Sequence, residues 1–204
     1  TFTDLYYTDR TTLGNANLKP EEATSSEVGI RLLSPKVSFS FAFFSRKAKN
    51  LIDYVKNGKD DNIPFKAENI QQVNTSGIDF ELTHRIKINS LIHEFKISYS
   101  YLENNLKNTG YNFSRYSINN DLKNHFVSNY QIPIHKDFNA YLVYKYVERT
   151  SGDAYSVVDV SAQWRISRWQ VSLYFNNIFN TEYWESNLVP MPKGNGLLGL
   201  RYSF

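Results

Sequence analysis

Residues 155–176 read YSVVDVSAQWRISRWQVSLYFN and alternate apolar with polar side chains on both sides of a central Ser-Arg pair. A period of two along the chain indicates β-strands with one apolar face. If Ser167 and Arg168 form a two-residue turn, Ile166 faces Trp169 and Trp164 faces Val171, so the apolar side chains of both strands share one face. The stretch therefore predicts an antiparallel hairpin.

The same alternation recurs along the whole chain, and no apolar spacing typical of a helix is sustained. We predict an all-β fold of nine up-and-down strands: 22–33, 37–49, 68–86, 92–104, 119–132, 138–149, 155–166, 169–178 and 195–204. Most of these strands have ten or more residues, whereas strands of soluble proteins cluster near about five or six. A tilted strand that crosses a membrane needs about nine to eleven. The strand lengths therefore favour a transmembrane sheet.

The connections between the predicted strands alternate strictly between short and long. Short turns are predicted at 34–36, 87–91, 133–137 and 167–168, and longer polar loops at 50–67, 105–118, 150–154 and 179–194. Outer-membrane β-barrels have short periplasmic turns and longer outside loops. The pattern predicts that the C-terminus lies in the periplasm. Nine antiparallel strands cannot close on themselves, so the chain is expected to be a segment of a larger transmembrane β-barrel.

The amino-acid composition agrees with a membrane barrel and excludes several other kinds of protein and site. Aromatic residues make up 16% of the 204 residues, yet the mean hydropathy is −0.48, and no apolar run approaches the length of a membrane helix. A polar lumen and an apolar lipid face produce such an average. The absence of cysteine excludes disulfides and thiolate metal sites. The net charge of +3 is spread too evenly for nucleic-acid binding.

Four stretches in the correct order resemble the C-terminal half of TonB-dependent receptors. They are FTDLY at 2–6 followed by GNANLKPE at 14–21, VNTSGIDFE at 73–81, NNIFNTEY at 176–183 and the terminal strand GLLGLRYSF at 196–204. Ala16 stands where the family usually has proline. The terminal Phe204, with Tyr202, Leu200 and Leu198 at every second position before it, resembles the signal that the barrel assembly machinery reads.

The resemblance implies a barrel of about 22 strands that encloses an N-terminal plug and is energised by TonB. Residues 1–204 would supply the last nine strands, and the plug would be absent. The implied partners are the outer-membrane lipid bilayer, the TonB system through the missing N-terminal part, the assembly machinery and a small-molecule nutrient, with no cofactor and no catalysis. The stretches LIDY at 51–54 and VPMP at 189–192 resemble cobalamin receptors of the family.

The predicted outside loops contain the candidate ligand-binding residues, because aromatic side chains and arginine at loop tips suit a large flat ligand. These candidates are Tyr54, Lys59, Asp60, Asp61, Tyr111, Phe113, Arg115, Tyr116, Tyr183, Trp184 and Asn187. The alternative for any one of them is ordinary loop composition. Calcium binding by Asp60, Asp61 and Asn62 is disfavoured because Lys56, Lys59 and Lys66 lie nearby.

Two other interpretations are weighed against a transport receptor. A soluble β-sandwich that binds a ligand also alternates apolar and polar residues, but it predicts shorter strands. A barrel enzyme needs a nucleophile beside a base, and no local motif singles one out. Folding about 87–91 is expected to place His84 opposite His93. We interpret the two as interfacial polar residues rather than as a metal site.

Overall fold

The computed structural model describes residues 1–58, 60, 62–107, 110–114, 122–150, 153–185 and 189–204. In chain order the elements are α1 (Phe2–Tyr6), β1 (Thr12–Leu13), β2 (Glu22–Leu33), β3 (Val37–Lys56), β4 (Phe65–Ile88), β5 (Leu91–Lys107), β6 (Phe113–Ser114), β7 (Leu122–His135), β8 (Phe138–Arg149), β9 (Tyr155–Ile166), β10 (Trp169–Asn176) and β11 (Asn195–Tyr202). Among these residues, no helix is long and apolar enough to cross a membrane.

Nine long strands form one antiparallel sheet in the order β11-β10-β9-β8-β7-β5-β4-β3-β2. Every long strand therefore pairs with its neighbours in the sequence, as the up-and-down prediction requires, and the single sheet replaces the two-layered sandwich alternative. β2 and β11 form the two edges. The predicted hairpin is confirmed, because Ile166 pairs with Trp169 and Trp164 with Val171.

Several predicted boundaries were wrong. β3 and β4 continue to Lys56 and from Phe65, so the predicted 50–67 loop shrinks to 57–64. β5 runs to Lys107 and β7 to His135, while β10 and β11 end two residues early. The pattern of the sequence did not predict α1, β1 or β6. These three elements are too short to show a period, and β1 and β6 form by pairing with distant strands.

The turn between β4 and β5 is also tighter than predicted, and this corrects the placement of the two histidines. Asn89 and Ser90 both have positive φ, 46° and 69°, as a two-residue type I′ turn requires. His84 consequently lies opposite Phe95 rather than opposite His93. His93 instead places its Nδ1 3.0 Å from the Tyr130 hydroxyl. Within the described ranges, no cluster of three or more His, Asp or Glu side chains is arranged to hold a metal ion.

Pairing register gives the sheet one apolar and one polar face. Phe41 pairs with Phe80, Phe80 with Tyr99 and Tyr99 with Phe126, so aromatic side chains continue across four strands on one face. The opposite face is concave, and its cavity is lined mainly by small and charged side chains. These are Glu27, Gly29, Arg31, Ser40, Ala42, Asp79, Glu81, Ser98 and Ser100.

A spin-label experiment tests which face contacts lipid. Val158, Val160, Trp164 and Leu173 share the apolar face, whereas Asp159, Gln163 and Arg165 belong to the polar face of the same hairpin. Single labels in the refolded full-length protein are expected to be accessible to oxygen dissolved in lipid at 158 and 160, and to a water-soluble nickel reagent at 159 and 163. The reverse pattern would show that the faces are assigned wrongly.

Candidate functional site

The hairpin of β3 and β4 projects beyond its neighbours at the end of the sheet that carries the long loops. β2 begins opposite Lys49, and β5 ends opposite Gln72. Beyond these points β6 pairs with the free edge of β3, and β1 pairs in parallel with the free edge of β4. The projecting part, residues 50–70, is named the hairpin tip. Short strands on both sides satisfy backbone groups of the hairpin tip that would otherwise lack partners.

The segment 14–21, quoted above for its resemblance, holds the N-terminal region against the hairpin tip. The Asn15 side-chain amide donates to the carbonyl of Ala67 at 3.0 Å. The Asn69 side chain both accepts from the backbone N–H of Lys19 and donates to its carbonyl, at 2.8 and 3.0 Å. The Glu21 carboxylate accepts from the N–H of Ile52 at 2.7 Å. The side chains of Asn15, Asn69 and Glu21 thus take the place of strand pairing here.

Tyr54 was predicted to lie in an outside loop, and that placement is wrong. It lies within β3, only 7% of its surface is exposed, and its hydroxyl donates to Asp4 Oδ1 at 2.9 Å. The neighbouring Asp53 is also buried. The loop prediction failed because the sequence alone does not show that the N-terminal segment folds back over the hairpin. Tyr54 connects α1 to the hairpin tip rather than projecting towards solvent.

The remaining predicted residues near the hairpin tip occupy different environments. Tyr111 is half-buried and packs against a small apolar core of Val55, Ile70 and Val73. Asp60 is exposed, and its carboxylate accepts from the backbone N–H of Asn62 at 2.9 Å, which closes the loop. Phe113 lies in β6, whose backbone pairs with β3. Four other predicted residues, and one from the last loop, lie outside the described residues: Lys59, Asp61, Arg115, Tyr116 and Asn187.

The last loop, residues 177–194, is organised by Asn177. This residue is 2% exposed and has a positive φ of 49°. Its N–H donates to Asp159 Oδ1 at 2.7 Å, and its side chain exchanges two hydrogen bonds with the backbone of Thr181 at 2.8 Å. Asn180 accepts from the N–H of Gly194 at 2.9 Å and so ties the two ends of the loop together. The 176–183 motif therefore specifies how this loop leaves β10.

Two contacts hold the middle of the last loop against the sheet. The rings of Tyr183 and Tyr155 lie 4.6 Å apart at an angle of 30°. Glu185 forms an ion pair with Lys145, which lies on the polar face of β8. We call these two contacts the loop tether. The tether places predicted residue Tyr183 above the concave face and leaves its neighbour Trp184 exposed.

The loop tether contains one half-buried tyrosine of the predicted set and three residues outside that set. Burial beside Tyr155 raises the pKa of the Tyr183 hydroxyl, so Tyr183 stays protonated over a wider pH range. Tyr155, Glu185 and Lys145 were not predicted as site residues. Glu185 and Lys145 are 40 residues apart in sequence, so no local motif could have connected them.

Breaking the ion pair of the loop tether is expected to loosen the last loop. A partly exposed ion pair contributes about 1 kcal/mol, which corresponds to a roughly fivefold change in the docked population. We expect a spin label at position 189 to gain mobility in Glu185→Gln. The matched control is Glu182→Gln, which removes an exposed ion pair to Lys193 within the same loop. Equal mobility in the two variants would contradict the tether.

Comparison with known proteins decides the family. The family model described as "TonB dependent receptor-like, beta-barrel" matches residues 1–178. The chain belongs to this family. TonB-dependent receptors are β-barrels of the outer membrane that bind small-molecule nutrients, so the apolar face of the sheet is the lipid face and the concave face is the lumen wall. The resemblance drawn from the four sequence stretches is thereby confirmed.

Individual relatives agree with the family but are longer than this chain. The vitamin B12 transporter BtuB of Vibrio vulnificus is 28% identical over 193 residues, which cover 90% of this chain and 28% of that protein. The FrpB iron transporter of Neisseria meningitidis (F3-3 variant) superposes with a TM-score of 0.72 at 16% identity, over 95% of this chain and 33% of its own. The copper transporter OprC superposes with a TM-score of 0.75 at 14% identity, over 96% of this chain and 34% of its own.

The chain therefore spans about a third of the length of the relatives it matches. The structural neighbours are too distant in sequence to indicate more than the fold. These relatives are transporters rather than enzymes.

Proposed function

We propose that the chain is the C-terminal barrel portion of an outer-membrane receptor that actively imports a large scarce nutrient and is energised by TonB. The proposal rests on one observation: the sheet has the fold of a TonB-dependent receptor barrel but is open. β2 and β11 run in the same direction and bear no partner strand among the described residues. Unpaired strand edges are costly in lipid. Further strands are therefore required to close the wall between them.

The missing strands and the plug would come from the rest of a longer receptor chain, and contact with TonB would be made there. The terminal strand would be the part that the barrel assembly machinery recognises. Leu198, Leu200 and Tyr202 pair with apolar residues of β10 on the lipid face, and Phe204 is fully exposed beyond the strand. An apolar edge strand of this kind is free to pair with another strand during insertion.

Cobalamin is the first candidate nutrient. The vitamin B12 transporter relative and the stretches at 51–54 and 189–192 support it. The last loop also offers a suitable surface, since Tyr183 and Trp184 provide flat apolar area above the lumen wall. The Tyr155 hydroxyl beside them is buried and has no hydrogen-bond partner within the described part of the chain, so a polar group of a ligand would reach it only if the last loop moved.

Ferric chelates are the second candidate. The observation that favours them is the Lys145 cation at the loop tether, which an anionic chelate would bind in place of Glu185. We propose no catalytic role, because no nucleophile beside an oriented base was identified in the sequence. The role that we propose for the residues at the long-loop end is nutrient binding.

Ligand binding to the intact receptor tests the proposal. We expect Trp184→Ala to weaken cobalamin binding about tenfold, in the range of an aromatic residue central to an interface. Trp169→Ala is the matched control, because Trp169 is equally exposed (50% against 51%) but lies at the opposite end of the sheet. Radiolabelled cobalamin and ferric siderophores are titrated against both variants in detergent.

Replacing residues 58–63 by a short Gly-Ser linker extends the test to the hairpin tip. We expect weaker nutrient binding with normal assembly, because loops tolerate change better than strands. Assembly is measured as the heat-modifiable folded band on a gel. A receptor that binds and imports every candidate nutrient normally after both loop changes would contradict the assignment of these loops to ligand binding.

A further inference from the structure

The outward face of the short-turn end carries three polar side chains within an otherwise apolar surface. Val37 pairs with His84, His84 with Phe95 and Phe95 with Tyr130, so these residues form one row across four strands. The row lies four residues from the aromatic row described above, and an even spacing places both rows on the same face. His93 precedes Phe95 by two residues and therefore also faces outward. His84, His93 and Tyr130 are named the outward polar cluster.

Within the outward polar cluster, His93 and Tyr130 form a hydrogen-bonded pair. The Nδ1 atom of His93 lies 3.0 Å from the Tyr130 hydroxyl, and the Phe95 ring packs edge-on against the Tyr130 ring with centroids 6.1 Å apart. Neither side chain of the pair has a second hydrogen bond to the described residues. If Tyr130 donates to Nδ1, His93 keeps an N–H at Nε2, and if Nδ1 donates to Tyr130, the phenol keeps its O–H. Either tautomer therefore leaves one donor for a further partner.

Spacing along β5 places His93 at the edge of the membrane. On this strand, the outward position that first carries a charge towards the long-loop end is Glu103, which pairs with Ser76. Ten residues of a strand tilted by about 40° rise about 25 Å, and the outward apolar band of an outer-membrane barrel is about 25 Å tall. His93 lies ten residues from Glu103 on the same face of β5. It therefore lies at the level where the hydrocarbon ends and the lipid headgroups begin.

The charges around the outward polar cluster favour an anion. Glu94, the neighbour of His93 in sequence, belongs to the inward face and is ion-paired there. The exposed Lys36 lies in the adjacent turn, where its carbonyl accepts from the N–H of Arg85 at 2.7 Å. Outward positions of the surrounding strands carry no carboxylate, and only His84 and His93 among them can bear a positive charge, within 37–43, 78–86, 93–101 and 126–132. No outward side chain of these four segments would therefore repel a phosphate group.

We propose that the outward polar cluster binds the phosphate group of a glycerophospholipid in the leaflet on the short-turn side. Diagonal neighbours on adjacent strands lie about 7–8 Å apart, so one phosphate can accept hydrogen bonds from His84 and from the His93–Tyr130 pair. Hydrogen bonds to a charged acceptor are stronger than those between neutral groups. A phospholipid fits better than a free phosphate ion, because Leu82 and Ile97 continue the outward face towards the bilayer centre, where they contact acyl chains.

Lipid titration of the intact receptor tests the proposal. The receptor in neutral detergent is titrated with dioleoyl phosphatidylglycerol, and native mass spectrometry counts the bound lipids. We expect His84→Phe/His93→Phe to lower the affinity for the first phosphatidylglycerol about fivefold, the loss expected when partly exposed hydrogen bonds to a charged group are removed. The same titration with monogalactosyl dioleoylglycerol, which has equal acyl chains and no phosphate, should give the same affinity in the variant and in the wild type.

Two matched controls make the same substitutions elsewhere. Tyr130→Phe is compared with Tyr144→Phe, which changes another outward tyrosine, whose hydroxyl lies 2.9 Å from Ser156 Oγ. His125→Phe removes a histidine that pairs with Ser100, a residue of the concave face. We expect about a threefold loss of phosphatidylglycerol affinity in Tyr130→Phe and less than about a twofold loss in both controls. Equal losses in the cluster and control variants, or an equal loss of galactolipid affinity, would overturn the proposal.

Crosslinking measures where the lipid is bound. Phosphatidylglycerol with a photoreactive diazirine in its headgroup should crosslink mainly within 84–95 and 128–135 in the wild type, and these crosslinks should be lost in His84→Phe/His93→Phe. Crosslinks spread evenly around the short-turn end would show that the cluster has no preference for the lipid. Displacement of the lipid by an excess of inorganic phosphate would identify a free anion as the ligand. Either result would overturn the proposal.

Nutrient binding is measured on the same samples, because the site lies on the outer side of the barrel wall and does not depend on the proposed function. Loss of phosphatidylglycerol affinity with normal cobalamin or siderophore binding supports the outward polar cluster. If the double variant does not fold, the comparison of Tyr130→Phe with Tyr144→Phe decides. A receptor that shows the lipid effect but binds no nutrient contradicts only the proposed function.

Discussion

Replacing Gly77 with alanine is expected to destabilise the folded barrel by roughly 2–3 kcal/mol, the cost of overpacking a closely packed site. A Cβ at this position would lie 2.3 Å from the carbonyl oxygen of Tyr101 and 2.6 Å from Cζ of Phe44. The Phe44 ring can rotate, but the Tyr101 carbonyl belongs to the backbone of β5. Relief of the clash would therefore distort the pairing of β4 with β5.

Gly199→Ala provides the matched control, because the nearest atom to its added Cβ would be Ser172 Cβ at 3.6 Å. We expect this change to stay within about 0.5 kcal/mol. Both variants of the full-length receptor are refolded into vesicles, and their urea unfolding is followed by tryptophan fluorescence. Similar unfolding midpoints would show that Gly77 is not needed for close approach of the strands, and that its place in the 73–81 motif has another cause.

The second large effect concerns residues 1–204 produced alone. We expect this piece to aggregate in plain buffer and to transport nothing. β2 and β11 leave rows of N–H and C=O groups without strand partners, and each such group costs several kcal/mol in lipid. The same strands expose large apolar side chains, among them Val28, Leu33 and Leu200. Exposed edges and apolar surface both promote association between copies.

Light scattering after size-exclusion chromatography measures the association state directly. The full-length receptor in detergent serves as the control and should elute as a defined species. Addition of detergent to the 204-residue piece should disperse the aggregates without restoring the heat-modifiable band of a closed barrel. A monodisperse monomer that melts cooperatively without detergent would contradict the membrane assignment of the sheet.

Sequence alone determined the number, order and direction of the nine long strands. Residues such as Val158, Asp159 and Val160 alternate because each strand separates an apolar from a polar environment, and that period is visible in any single strand. Two-residue turns are equally local, so the pairing of Ile166 with Trp169 followed from the spacing. Most strand boundaries were predicted within three residues, and the four sequence stretches indicated the family.

Only the tertiary structure decided how the long-loop end is built. The sequence gives no local sign that α1, β1 and β6 assemble around the hairpin tip, because each is fixed by partners about 50 residues away, as in the Tyr54–Asp4 hydrogen bond. Tyr54 was therefore mistaken for an exposed loop residue. The Lys145–Glu185 ion pair likewise depends on how the last loop folds over the lumen wall.

The physical reason for this division is the range of the interactions. Alternation and tight turns arise from neighbouring residues and from a membrane that imposes the same two environments on every strand. Outside the membrane no such uniform environment exists. Polar side chains such as Asn15, Asn69 and Asn177 form hydrogen bonds with groups that only the folded chain brings near them. Local interactions thus determine the structure of the barrel wall, whereas long-range contacts determine the structure of its long-loop end.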